Sequence, residues 1–561
     1  MNKKWQYIQT DKSRANEIVD KFNIGHLAAQ ILANKNLSDE QIKIFLEPTR
    51  NNFYDPFLMP DMEKAVDRII KAIENNEKVV IFGDYDVDGI TSTTVLKKFL
   101  EERGLVVGYH IPNRLKEGYG LNKEAIEQIA EDGTKLMITV DCGITGIEEI
   151  EYANSLKMET IVTDHHEPID ILPNAVAVVD AKRKDNKYPF NQLAGVGVVF
   201  KLIQALSQKL NIDEKDNLKY LDIVCLGTIA DIVPLIDENR VIAQLGLKLI
   251  EIGRNPVLKF IISSSGYKAV TSTTISFGIA PRVNACGRMG HADEALELFL
   301  SNNIQEIQNK TTKLNEYNRE RQDKEKKIFE EAVRKIEENR DLDEDIIVLS
   351  GEGWHHGVIG IVASKITEMY LKPSILLCEE EGMCKGSGRS VQGLDLHEAL
   401  CETSKDLEKY GGHAMAIGLS LKKENLQSFK ENINKYVKSL NLDEPQQVFE
   451  IDSCVDLKEL DVNEVNDIYK LEPFGEANKM PIFAIKNLKI DSIRALSEGK
   501  HLKLRLKDDK YTIDAIGFNM GELSNLYKLG DKVDILGNLE INSYGGRENV
   551  QMNLKDIIKS I

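Results

Sequence analysis

Between residues 62 and 180, short β-branched runs alternate with segments of helical length and period, and this alternation fixes the fold class. The pattern predicts helices over Met62–Asn75, Thr91–Gly104, Asn122–Asp132 and Ile144–Leu156. Between them it predicts strands over Lys78–Phe82, Leu105–Ile111, Lys135–Val140, Thr160–Thr163 and Ala175–Val179. Strands separated by such helices join one sheet as parallel neighbours with right-handed crossovers, and open α/β sheets bind ligands beyond the carboxyl ends of their strands. Several apolar runs end there on acids: Asp84-Tyr85-Asp86-Val87-Asp88-Gly89, then Asp141 after ITV, then Asp164-His165-His166 after IVT, and later Asp231. Carboxylates and imidazoles gathered this way suit Mn²⁺ or Mg²⁺ rather than structural zinc. Asp84 and Asp86, two apart on extended chain, point to one side. A single Asp at such a place can simply cap the next helix. Three strand ends, one with adjacent histidines, argue instead for convergence, and only Asp88 is read as a turn and helix-cap residue.

The bulk composition limits the setting. A chain of 561 residues exceeds one core and predicts roughly three or four domains. No apolar run approaches the roughly 20 residues that span a bilayer, and the first residues lack a signal-peptide core, so a cytoplasmic protein without membrane contact is expected. The seven cysteines are scattered and never form C-x-x-C, which disfavours disulfide scaffolds and zinc ribbons. A net charge of −18 argues against a protein that coats DNA nonspecifically, so any cationic footprint is local.

Composition shifts divide the chain. Residues 1–50 read as a helical segment (Ser13–Phe22, Ile24–Ala33, Asp39–Leu46), and 51–305 as the α/β catalytic unit, helical from Val196 to about Leu300. Asn302–Asn339 is intensely charged and free of Pro and Gly, which predicts a long solvated helix connecting over 306–340. A second, smaller α/β unit covers 341–443, from strand Ile346–Leu349 through Lys385–Ser390 to Gly411-Gly412-His413. Residues 444–561 are strand-rich and suit a small barrel. In it, His501–Lys507 alternates strictly: Leu502, Leu504 and Leu506 face a core, leaving Lys503, Arg505 and Lys507 as a cationic row. Such a row can merely keep a strand soluble, or it can track a single strand alongside stacking aromatics, for which Tyr511, Phe518 and Tyr544 are candidates.

The ordered motifs carry a resemblance. DYDVDG followed by Thr91-Ser92, VDCG, DHH and GTIADIVPL resemble the DHH phosphoesterase superfamily. Tyr109–Arg114 with Gly118-Tyr-Gly120, Pro281–Arg288, Trp354–Ile361, Gly386–Ser390 and Gly411–His413 are similar to its RecJ branch, from about residue 50 to the C-terminus. The resemblance implies an α/β fold with a parallel-sheet DHH domain, a long helix, a smaller α/β DHHA1 domain and a C-terminal oligonucleotide-binding barrel. It implies a 5′-to-3′ exonuclease that hydrolyses single-stranded DNA to 5′-mononucleotides in DNA repair and recombination, acting as a monomer with single-strand-binding protein and a helicase as partners. Two Mn²⁺ or Mg²⁺ ions would be held by Asp84, Asp86, Asp141, His165 and Asp231, with Asp141 bridging. His166 would stand beside the scissile phosphate as a donor, making His166, Asp86 and Asp141 the catalytic set. Some superfamily members carry a histidine where this chain has Val80, so one ion should bind more loosely. Substrate contacts would come from Arg114, Arg282, Asn284, Arg288, His355, Arg389, Ser390, Gly411, Gly412 and His413. For Arg282, Asn284 and Arg288, pairing with nearby acids competes with phosphate contact. His355 and His356 read as packing or substrate contacts rather than metal ligands. Two other readings are a DHH phosphodiesterase for short oligonucleotides or cyclic dinucleotides and a non-catalytic DNA-binding replication scaffold. The C-terminal barrel and chain length disfavour the first, and the intact acidic motifs the second.

Overall fold

The computed structural model describes residues 3–339, 341–442, 446–544 and 546–560. The chain forms two compact units, Met1–Phe53 with Pro234–Leu245 and Gln447–Ile561, and Tyr54–Val233 with Gly246–Gln446.

The second unit is built on the predicted parallel sheet. Strands Val79–Phe82, Val107–His110, Leu136–Val140, Glu159–Thr163 and Ala177–Val179 pair in parallel throughout. Val79–Phe82 lies between Val107–His110 on one side and Leu136–Val140 on the other, so the strand order reverses there. Val79–Phe82 and Leu136–Val140 are buried along their length, which is why they read as continuous apolar runs. The following helix, Val87–Glu101, starts four residues before the predicted Thr91. Asp86 causes the early start: its carboxylate accepts from Asp88 N (2.9 Å) and Gly89 N (3.1 Å) as an N-cap. Nearly every residue of this helix is buried, so it shows no amphipathic stripe by which its first turn could be recognised.

The charged segment forms one helix, Ile304–Asn339, supported by i,i+4 pairs such as Arg321–Glu325 and Lys335–Glu331. It is not solvated all round, since Ile307, Leu314, Ile328, Ala332 and Ile336 are buried along one face. Ile328, Ala332 and Ile336 pack with Trp354, Val358 and Val362. Beyond it stands a five-stranded sheet in the order Lys409–His413, Ala416–Lys422, Met383–Arg389, Ser374–Glu380, Ile347–Glu352, with only the last pair parallel.

In the first unit, the N-terminal helices Lys12–Phe22, His26–Asn34 and Asp39–Leu46 fall close to the predicted spans. Ile18, Leu32 and Phe45 share one apolar core with Val465, Phe483, Leu502, Leu504 and Leu506. Glu464 caps the second helix from afar, accepting from His26 N (3.1 Å) and Leu27 N (3.0 Å). Strand Lys3–Tyr7, not anticipated from sequence, pairs in parallel with Gln447–Ile451. Strands Phe483–Leu496, His501–Lys507, Thr512–Gly517, Arg547–Lys559 and Lys532–Tyr544 pair in that order, and the last closes onto the first, giving a five-stranded barrel. The alternation in His501–Lys507 holds: Leu502, Leu504 and Leu506 are wholly buried. Its cationic row is partly neutralised, with Lys503 paired to Asp514 (3.2 Å) and Lys507 to Asp491 (2.5 Å). Tyr511 and Phe518 are exposed, and the side chain of Tyr544 lies outside the described residues.

One buried cation joins three distant segments of this unit. Arg240, 2% exposed, donates to Phe45 O (2.8 Å), Glu472 O (2.8 Å) and Pro473 O (3.4 Å), and its guanidinium lies 3.5 Å from the centre of the Phe45 ring. Arg240→Met would leave those carbonyls unsatisfied in the interior, a cost of about 3 kcal/mol. We expect amide exchange in Leu502–Leu506 to accelerate about a hundredfold for that cost, with Leu136–Val140 unchanged. Equal protection in the variant would show that Arg240 does not join the segments.

Candidate metal centre

The acids reach the site from separate elements. The first strand stops at Phe82, so Asp84 and Asp86 sit in the connection after it, where Asp86 still has an extended backbone (φ −90°, ψ −173°). Their carboxylate oxygens still meet that of Asp141, the three lying within 4.8 Å of one another. Val80 packs into the apolar cluster of Phe82, Ala125, Ile126 and Met137. Asp141 follows Leu136–Val140 directly, with a left-handed backbone (φ 59°) that Asp tolerates better than most residues, and its N–H donates to Thr163 O (3.1 Å).

His165, after strand Glu159–Thr163, brings in the remaining ligands. Its Nε2 lies 3.1 Å from Asp141 Oδ1, 3.6 Å from Asp231 Oδ2 and 3.8 Å from Asp88 Oδ2. Asp88, His165 and Asp231 form a second ligand set; Asp141, His165 and His166 form a third. Asp141 is thus common to the Asp84–Asp86 set and to a histidine set. The reading of Asp88 as a turn residue is corrected. It is buried and accepts from Gly195 N (2.6 Å) and Val196 N (2.8 Å), so it caps helix Gly195–Lys209, far downstream, while facing His165. The wall at Gly195 is glycine because nothing larger fits: a Cβ there would lie 2.8 Å from Asp141 Cβ and 3.0 Å from Asp88 Oδ2.

Crowding these acids is electrostatically unfavourable. Burial and the Asp86 charge push Asp84 well above the usual carboxylate range and Asp88 up to about 7. Burial and the charges of Asp88 and Asp86 push Asp231 up to about 9 and Asp141 well above its ordinary value. His165 falls to about 3 through burial and the neighbouring His166, which leaves it neutral, as a metal ligand must be. Asp84 Oδ1 and His165 Nε2 are buried with no hydrogen-bond partner. Uncompensated carboxylates and an orphaned imidazole nitrogen are the donor set that divalent cations satisfy.

Asp164 plays another part. Its Oδ1 accepts from His165 N (2.7 Å), His166 N (3.2 Å) and His166 Nδ1 (2.7 Å), and its Oδ2 from Ile144 N (2.9 Å). Burial alone would raise Asp164, yet the His166 hydrogen bond and charge hold it below the usual range. Burial would likewise lower His166, but Asp164 outweighs it and lifts the imidazole to about 9. His166 is therefore held at Nδ1 by Asp164.

The expected substrate-contacting residues separate into groups. Arg114 lies 5.0 Å over the Tyr85 ring. Arg288 donates to Gly357 O (3.1 Å); burial and the charges of Arg114, Arg321 and Arg389 lower its pKa to about 10. Burial and Arg114 lower Arg389 as well, so three guanidiniums form one cationic cluster. His413, at the end of edge strand Lys409–His413 with Gly411 and Gly412, shares a cleft of about 340 Å³ with Tyr119, Ile144 and His166. Arg282 donates to Asn315 Oδ1 (2.7 Å) and Gly278 O, and lines a different cavity with Tyr267, Phe277 and Arg321. Asn284 Oδ1 accepts from Val87 N (3.2 Å), Ser390 Oγ donates to Leu394 O (2.8 Å), and His355 Nδ1 accepts from Gly357 N (3.2 Å). These three hold backbone in place. Beyond Asp88, the sequence reading missed Asp180 and Tyr119. Asp180 ends the apolar run VVD, follows strand Ala177–Val179 and is pushed up to about 7 by burial, so the strand-end rule would have found it. Tyr119 carried no signal beyond its flanking glycines.

Asp141→Asn keeps side-chain size and tolerance of the left-handed backbone while removing one charge. We expect the chelator-treated variant to melt above the parent by the equivalent of about 1 to 2 kcal/mol, since each pKa unit of lost repulsion corresponds to about 1.4 kcal/mol. Its melting point should also rise less than the parent's when Mn²⁺ is added. Lower stability without metal would contradict the repulsion.

Comparison with known proteins follows this geometry. Residues 78–228 match the N-terminal domain of the DHH family, 343–439 the DHHA1 domain and 451–556 the RecJ OB domain. The single-stranded-DNA-specific exonuclease RecJ of Bacillus subtilis (strain 168) is 37% identical over 560 residues, covering 99% of this chain and 70% of the relative. The crystal structure of RecJ from Thermus thermophilus in complex with Mn²⁺ superposes with a TM-score of 0.88 at 28% identity, covering 100% of this chain and 80% of the other. The Mg²⁺ complex of that protein gives 0.81 at 27% identity, covering 100% and 79%.

Proposed function

This chain belongs to the RecJ family of DHH phosphoesterases, and on that premise we propose that it is a metal-dependent exonuclease that hydrolyses single-stranded DNA from the 5′ end to 5′-mononucleotides, serving DNA repair and recombination. The observation that carries the reading is the pair of ligand sets, Asp84–Asp86–Asp141 and His165 with its acids, beside a cluster of arginines. Asp84, Asp86 and Asp141 would hold one Mn²⁺ or Mg²⁺, and His165 and Asp231 with Asp141 the other. Two bound ions supply an activated water and charge stabilisation of both the attacking and leaving oxygens of an in-line displacement. The chain's own groups do the rest. Arg114, Arg288 and Arg389 would bind the phosphates, bidentately where the guanidinium edge is open. His166, fixed through Nδ1 by Asp164, would donate to the phosphate as negative charge builds there.

The barrel supplies the preference for long strands in this reading. Arg505 forms no ion pair among the described residues and lies between Lys503 and Lys507, while Tyr511 and Phe518 are exposed for stacking. The division 1–50, 51–305, 306–340, 341–443 and 444–561 belongs to the same proposal; each matched domain falls inside one of those spans. Among the described residues no helix is long and apolar enough to cross a membrane. The cytoplasmic location in this reading follows from the sequence expectation, and a monomer working with single-strand-binding protein and a helicase follows from family resemblance.

With Mn²⁺, a 5′-labelled single strand should release labelled mononucleotide from the first turnover, while a 3′ label stays on long products until the end. Asp86→Asn, which retains an N-cap, should lower the rate roughly a thousandfold or more, the worth of several kcal/mol of metal-borne stabilisation. Release of the 3′ label first, or an active Asp86→Asn, would refute the proposal. Arg505→Glu with Tyr511→Ala should raise KM for long strands about tenfold, given ~1–3 kcal/mol per stacked base, and leave kcat on trinucleotides within about twofold. Unchanged KM would remove the barrel from the binding path.

A further inference from the structure

Tyr119 has features that packing does not account for. The loop that carries it turns through two left-handed glycines, Gly118 (φ 88°) and Gly120 (φ 82°). A Cβ on either would meet nothing within 4 Å, so the backbone conformation, not space, calls for glycine. The turns bracket one tyrosine, 54% exposed, edge-on to Tyr85 at 6.4 Å and to His166 at 6.0 Å. It lines the same cleft as His166, Asp164 and His413. Its phenol oxygen stands 3.4 Å from His166 Nε2 and 3.5 Å from Nδ1. An oxygen equidistant from both ring nitrogens is aimed along neither nitrogen's bonding direction, and both separations are at the outer limit of a hydrogen bond. Nδ1 is in any case engaged by Asp164 Oδ1 at 2.7 Å. The phenol proton is thus uncommitted, and burial and the charges of Asp141 and Asp164 raise the phenol above its ordinary range, so it keeps that proton throughout the neutral range. The Tyr119 O–H and the His166 ring open on one cleft at the edge of the acidic cluster.

We propose that Tyr119 is a substrate-contacting residue of the hydrolysis, its O–H donating to a non-bridging oxygen of the scissile phosphate beside His166. The proton remains on the phenol, and the hydrogen bond tightens as negative charge accumulates on that oxygen. This rests on the reading of the acidic cluster and His166 as the hydrolytic site. Tyr119→Phe keeps the ring and its edge contacts and removes only the donor. The expected result is a fall in kcat of about ten- to a hundredfold, at or below what removal of a buried oxyanion donor costs because this one is half exposed. KM for single strands, Mn²⁺ affinity and melting temperature should stay at parental values.

A phosphorothioate at the scissile linkage gives a readout that a merely structural role would not move. Sulfur accepts hydrogen bonds poorly, so the preference for oxygen over sulfur at the contacted position should shrink in Tyr119→Phe by the same factor as kcat. A parental kcat in Tyr119→Phe, a change confined to KM, or an undiminished preference for oxygen would each overturn the proposal. Asp86→Asn run in the same assay separates the two levels. If it is inactive while Tyr119→Phe is fully active, this inference alone fails; if it is active, the reading of the site fails.

Discussion

Mutual repulsion among buried and half-buried carboxylates shapes the scaffold of the parallel sheet. Asp84, Asp86, Asp88, Asp141 and Asp231 gather at and beside the point where the strand order reverses, and among the described residues none forms an ion pair with lysine or arginine. Such an arrangement persists only if the scaffold holds it. Here that means a strand pair buried on both faces, a left-handed Asp141 tied to Thr163, and glycine at position 195 to admit the acids. Stability is given up locally for a site whose charge divalent cations restore, a common relation between strain and function.

The same logic explains how an acidic protein can act on a polyanion. The chain carries a net charge of −18, yet Arg114 lies close enough to Arg288 and Arg389 to lower the affinity of both for protons. Like-charge clusters of opposite sign lie in the same compact unit. In the proposed function phosphate bridges them, because it binds both metal and guanidinium. Net charge describes solubility, while local arrangement describes substrate.

The sheet, its strand ends and the convergence of Asp84, Asp86, Asp141, His165 and Asp231 were legible because parallel strands and their carboxyl ends follow from local periodicity. Other features depend on contacts far along the chain. Asp88 looked like a turn residue because the helix it caps begins more than a hundred residues later. Strand Lys3–Tyr7 could not be anticipated, since its partner Gln447–Ile451 lies near the other end of the sequence and most of its own residues are exposed. The backbone contacts of Asn284 Oδ1, Ser390 Oγ and His355 Nδ1 could not be read from local sequence either. The long helix read as solvated because its buried residues are spaced widely among charges.

If these acids are held together for two divalent ions, the loss of the free-ion paramagnetic resonance signal of Mn²⁺ should count them. Two ions per chain are expected at saturation, one held more loosely because Val80 adds no ligand, and fewer than two in Asp141→Asn because that carboxylate serves both sets. Absence of saturable binding, or a single ion indifferent to Asp141→Asn, would contradict two-ion binding.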